Sequence, residues 1–167
     1  MAALHLESID FQHYEDITTF NILEIQLIQR ANTIMNAAYA PYSNFQVGAS
    51  VLLENGEMIN GANVENAVFP ITTCAERVAL NYAITNHKNI KISTIAITSQ
   101  KSNTTIDSSK NELPAFPCGM CRQALLEIEL HQRSPIKIIL FQSLTNLIVI
   151  KKVADILPFG FDSFFLK

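Results

Sequence analysis

Three cysteines, the only ones in the chain, fall into two short motifs, and this restricts the fold more than any other feature. Cys74-Ala75-Glu76 stands 44 positions ahead of Cys118 in the second motif, Pro117-Cys118-Gly119-Met120-Cys121. Each motif opens a stretch with helical spacing, so the thiols act together only if two helix N-termini meet. Unpaired backbone N–H groups and the positive end of the dipole there favour thiolate over thiol. Three thiolates with an open fourth position form a ligand set for catalytic zinc, whereas a closed structural site takes a fourth protein ligand. Glu76, two residues past a ligand, is placed to handle protons of a metal-bound water. The net negative charge of such a site can be offset by Arg77 and Arg122, each directly after a motif residue, through hydrogen bonds to sulfur. None of His5, His13, His87 and His131 stands at ligand spacing.

The rest of the chain is read from local pattern. Residues 1–19 are polar-aromatic and read as an N-terminal arm or short edge strand ahead of a single catalytic domain over 20–167. From about Asn21 the apolar spacing is helical. Leu27, Ala31, Ile34 and Ala38 form a stripe with Glu24, Gln26, Arg30 and Thr33 facing away, and Pro41 ends it. Residues 46–54 and 57–62 flank Asn55-Gly56, a strong hairpin signal. Thr73 and Glu76 suit a capping box, which predicts a helix over 73–84. The β-branched run 90–98 predicts a strand, and the polar stretch 99–112 a loop. Pro117 opens a helix over 118–130. Strands at 136–141 and 147–150 follow, then a short helix over 151–157 before Pro158. Strand–helix–strand units predict parallel pairs beside the hairpin. The expected fold is α/β with three layers: a mixed five-stranded sheet with helices on both faces.

At 167 residues the chain suffices for one domain that buries roughly 70% of its unfolded surface. A net charge of −3 and a pI near 5.8, with no Lys/Arg cluster, leave no basic stripe for a nucleic-acid polymer. A small-molecule substrate is therefore expected. No apolar run approaches a membrane span, and residues 1–8 lack the features of a signal peptide. A C-x-x-C with one further cysteine suits metal in a reducing cytoplasm better than a disulfide framework.

Four stretches carry a resemblance to a known family. Pro41-Tyr-Ser-Asn-Phe-Gln-Val-Gly48, Asn63-Val-Glu-Asn-Ala67, Thr73-Cys-Ala-Glu-Arg77 and Pro117-Cys-Gly-Met-Cys-Arg-Gln123 together resemble the cytidine deaminases, over about 23–161. The motif pair also fits the general zinc-deaminase signature in its three-cysteine form. The resemblance implies hydrolysis of cytidine and deoxycytidine to uridine and deoxyuridine with release of ammonia, in pyrimidine salvage. It makes Cys74, Cys118 and Cys121 the ligands of one zinc per subunit and Glu76 the proton shuttle between water, pyrimidine N3 and the leaving amino group. It assigns Asn63 and Glu65 to the ribose 3′-OH, Phe45 to packing on the base and the Ala75 N–H to the pyrimidine carbonyl. The small three-cysteine branch is homotetrameric, and Phe161 resembles a C-terminal aromatic that subunits insert into one another's sites.

The chain departs from the family pattern at Asn66-Ala67-Val68-Phe69-Pro70, where Asn-Ala-Ser-Tyr-Gly is common; Phe69 lacks a hydroxyl for any intersubunit hydrogen bond. Two other readings are weaker. A deaminase for another amino-heterocycle is disfavoured by Asn63-Val64-Glu65, and a non-catalytic RNA-binding scaffold by the acidic pI and the intact Glu76.

Overall fold

The computed structural model describes residues 10–101 and 113–166. The expectations for 1–9 of the arm and for 102–112 of the polar loop lie outside them. The elements are β1 (Phe11–Tyr14), α1 (Ile22–Met35), β2 (Phe45–Leu53), β3 (Met58–Ala62), α2 (Ala75–Asn86), β4 (Ile92–Lys101), α3 (Gly119–Gln132), β5 (Lys137–Ser143) and β6 (Asn146–Ile150). They form one mixed sheet in the order β1-β6-β5-β4-β2-β3.

The period-two alternation of the strands separates two cores. Ala49, Val51 and Leu53 of β2, Ile95 and Ile97 of β4, and Ile138 and Leu140 of β5 face α2 and α3. Leu52, Ala96, Ile139 and Phe141 face Leu27, Ile28 and Ala31 of α1. Helices therefore cover both faces of the sheet, as expected.

Four expectations are corrected. The sheet has six strands, not five: β1, taken from the arm, pairs antiparallel with β6, Phe11 opposite Ile150. That strand covers the edge groups of β6 that would otherwise lie open, and its exposed side chains carry no alternation to read. Second, among the described strands only β4 and β5 pair in parallel. The crossover through α2 passes over β2, which is antiparallel to both β3 and β4.

Third, α1 buries Leu27 and Ala31 of the expected stripe together with Glu24, Ile28 and Met35, whereas Ile34 and Ala38 are only half-buried. Glu24 closes a capping box with Asn21 and pairs with Lys137 at 2.6 Å, which satisfies a carboxylate the sequence placed in solvent. Fourth, α2 begins at Ala75 with Cys74 as N-cap, and the Thr73–Glu76 box is not formed; the Thr73 hydroxyl donates to the Ile71 carbonyl instead.

Gly61 on β3 sets how close α2 lies. A Cβ there would come within 2.4 Å of the Ala75 carbonyl oxygen and 2.6 Å of the Ala79 nitrogen, both helix backbone. Gly61→Ala is expected to cost about 1–3 kcal/mol of stability, read as a fall of roughly 2–12 °C in thermal midpoint. Gly119→Ala, whose Cβ would meet nothing within 4 Å, serves as the control, with an unchanged midpoint. An unchanged midpoint for Gly61→Ala as well would show that α2 yields freely.

Candidate active site

The two cysteine motifs meet because α2 and α3 lie on the same face of the sheet. Cys74 and Cys118 occupy the N-cap positions of α2 and α3, both in extended backbone and neither with a side-chain cap bond. Their thiols thus stand at helix ends whose first N–H groups have no intrahelical partner. Cys121 lies one turn into α3. The Sγ atoms of Cys74 and Cys118 are 3.9 Å apart, those of Cys118 and Cys121 3.5 Å, and all three fall within 4.8 Å of one another. A tetrahedral zinc with Zn–S near 2.3 Å requires sulfurs ~3.8 Å apart. The cluster fits one zinc, and among the described residues no histidine or carboxylate joins it.

Burial is graded across the cluster: Cys121 is buried, Cys74 half-buried and Cys118 exposed. One side of the site therefore opens to a cavity of about 410 Å³. The Cys74 thiol is drawn down to about 5, first by a hydrogen bond from Cys121, then by Cys118 and by the charge and hydrogen bond of Arg77. The Cys121 thiol is pushed up by that same hydrogen bond to Cys74 and by burial. Glu76, in the first turn of α2 and 4% exposed, has its carboxyl pushed up chiefly by burial and further by the Cys74 charge.

The arginines differ. Arg77 donates from Nη2 to the Thr72 carbonyl at 3.1 Å, sits beside Cys74, and keeps a buried Nε with no protein partner. Arg122 donates from Nε to the Pro117 carbonyl at 2.7 Å and from Nη1 to the Ile156 carbonyl at 3.0 Å. It thereby ties the residue before Cys118 to the C-terminal segment.

Phe45, Asn63, Glu65, Cys74, Glu76 and Cys118 all line the one cavity. Asn63 is buried; its Oδ1 accepts from the Val47 N–H at 2.8 Å and its Nδ2 donates to the Phe45 carbonyl at 2.9 Å. Glu65 accepts from the Tyr42 and Ser43 N–H groups and the Ser43 hydroxyl, which hold its carboxyl below the usual range, the hydroxyl most strongly. Ala75 is the first residue of α2, so its N–H belongs to the unpaired end of the helix. Phe161 is not among the residues lining the cavity of its own chain. It is exposed, stacks on Phe165 at 5.5 Å and accepts from Gln123 Nε2 at 2.6 Å through its carbonyl.

The cavity also takes in Thr73, read from the sequence only as a helix cap, and Ser43, Thr72 and Phe116, to which no role is assigned from the sequence. Ser43 stood in a quoted motif, and Phe116 directly precedes Pro117. Only the folded chain shows that they face the site. Phe69 lies outside that cavity, 70% exposed, its ring edge-on to Tyr42 at 6.0 Å.

A three-thiolate metal centre open on one side, with a buried carboxyl of raised proton affinity beside it, has the constitution of a zinc hydrolase. Residues 23–134 match the family model described as the cytidine and deoxycytidylate deaminase zinc-binding region. The chain is 38% identical to a cytidine deaminase of Halalkalibacterium halodurans over 102 residues, 61% of this chain and 69% of the relative. It is also 38% identical to one of Mycoplasma genitalium, over 65% of this chain and 74% of the relative. The fold superposes on cytidine deaminases from Burkholderia pseudomallei (TM-score 0.67, 32% identity, covering 81% of this chain and 97% of that one) and Mycobacterium tuberculosis (TM-score 0.62, 27% identity, covering 84% and 98%). The chain belongs to the cytidine and deoxycytidylate deaminase family. No helix among the described residues is long and apolar enough to cross a membrane.

Proposed function

We propose that this protein hydrolyses free cytidine and deoxycytidine to uridine and deoxyuridine with release of ammonia, in pyrimidine salvage in the cytoplasm. The observation that carries this reading is the Cys74–Cys118–Cys121 cluster with Glu76 at the base of a cavity walled by Phe45, Asn63 and Glu65. Bound zinc supplies an activated water at neutral pH. Water adds at C4 of the base, the C4–N bond breaks, and the amino group leaves as ammonia. Glu76 carries the protons: burial raises its affinity for them, so it passes one proton of the water to pyrimidine N3 and then the other, from the hydroxyl left on C4, to the departing nitrogen. The Ala75 N–H orients the base by its carbonyl, and Phe45 packs on the ring.

Asn63 and Glu65 suit a single hydroxyl of the sugar. Asn63 has one N–H left after bonding Phe45, and Glu65 has about one lone pair left after three contacts. A hydroxyl donates to one and accepts from the other. In the metal site, Arg77 offsets thiolate charge at Cys74, and Arg122 steadies the Cys118 loop through its two carbonyl partners.

The catalytic domain spans 20–167, with the 1–19 arm contributing β1 to its sheet. Val68, Phe69, Ile71, Phe159, Phe161 and Phe164 are exposed on one chain, and their apolar area supports the homotetramer. Within it, Phe161 reaches a neighbouring subunit's site. Light scattering at assay concentration is expected to give four times the chain mass; a monomer would overturn the tetramer.

The test of the activity is the ultraviolet absorbance of each nucleoside mixed with zinc-loaded protein. Loss of the cytidine band is the expected result, and failure on both nucleosides would overturn the reading.

A further inference from the structure

Phe45 stands 39% exposed at the cavity, so packing does little to hold its ring in place. Its backbone, however, is held on both sides. The N–H donates to Ser43 Oγ at 3.0 Å, and the carbonyl accepts from Asn63 Nδ2 at 2.9 Å. The Ser43 hydroxyl in turn donates to Glu65 Oε1 at 2.5 Å. Glu65 Oε2 takes the N–H groups of Tyr42 at 2.9 Å and Ser43 at 3.3 Å. The turn that makes this possible closes with Asn44 N–H donating to the Ala40 carbonyl at 3.1 Å, with Asn44 left-handed at φ 55°. Asparagine tolerates that backbone better than most residues.

We propose that Ser43 is a positioning residue whose hydroxyl links Glu65 to Phe45, so that the sugar-binding carboxylate and the base-packing ring are set as one unit. This inference rests on the nucleoside reading above. Ser43 receives from one group and gives to the other with a single oxygen. An oxygen at that point thus transmits the orientation of Glu65 to the backbone from which the ring projects. Ser43 is itself exposed and belongs to neither apolar core, so the fold does not depend on it.

Ser43→Ala is expected to raise KM for cytidine about tenfold, the effect of losing a hydrogen bond to a charged group. The value of kcat should change less than about threefold, and the thermal midpoint should not move. Ser43→Thr, which keeps the hydroxyl, should recover most of the loss. In a double-mutant cycle with Glu65→Gln, the double variant should be about as impaired as Glu65→Gln alone, because both changes break one linkage. An unaltered KM in an otherwise active Ser43→Ala protein, or effects that simply multiply, would overturn the role of Ser43 alone. A wild type inactive on cytidine would instead overturn the nucleoside reading, and this inference with it.

Discussion

The Glu76→Gln protein is expected to retain one zinc per subunit and to turn cytidine over about 10²–10⁴-fold more slowly than the wild type. The amide is nearly isosteric with the carboxyl, and Glu76 is 4% exposed, so the replacement neither opens a cavity nor changes the thiol cluster. What it removes is the proton. A carboxyl buried beside the Cys74 charge keeps a proton longer than a solvated one, yet can still release it. Glutamine can do neither. Steady-state kinetics with metal analysis of the same preparation checks both halves of the expectation. Turnover within tenfold of the wild type would remove Glu76 from the chemistry, and loss of zinc would make it a determinant of the metal site instead.

Cys121→Ser is expected to abolish zinc retention, and with it both turnover and the stability that metal confers. Cys121 is fully buried, its Sγ 3.5 Å from that of Cys118, so no other described side chain can take its place. Free zinc at a thousand times its dissociation constant stabilises a protein by about 4 kcal/mol, or roughly 8–16 °C in a chain of this size. Thermal unfolding of the wild type with zinc and with a chelator should differ by about that amount, while Cys121→Ser gives one midpoint in both. A wild type indifferent to the chelator would show that the thiols do not hold metal.

Much of this site was legible because its chemistry is written locally. The two cysteine motifs, the Asn55-Gly56 hairpin and the strand β4 each follow from a few neighbouring residues, and the structure places them within a residue or three of expectation. The failures have a common cause. Glu24 looked solvent-facing because its spacing is polar, yet Lys137, remote in sequence, gives it a buried partner. Thr73–Glu76 had the form of a capping box, but Cys74 itself became the N-cap. The strand β1 has no alternation of its own and is defined by the edge of β6.

Residue types and spacing alone determined which atoms are available for metal and proton chemistry, and that both thiol motifs stand at helix starts. They also determined that the strands alternate enough to bury two faces. The tertiary structure decided which residues share the cavity. Ser43 and Glu65, or Phe45 and Asn63, meet because β2 pairs with β3 in one register, Gly48 opposite Ala62. Cys74 meets Cys118 because Gly61 lets α2 lie against β3 on the face that α3 also covers. Register and helix seating depend on packing between segments far apart in the chain, and no local window of sequence contains that information.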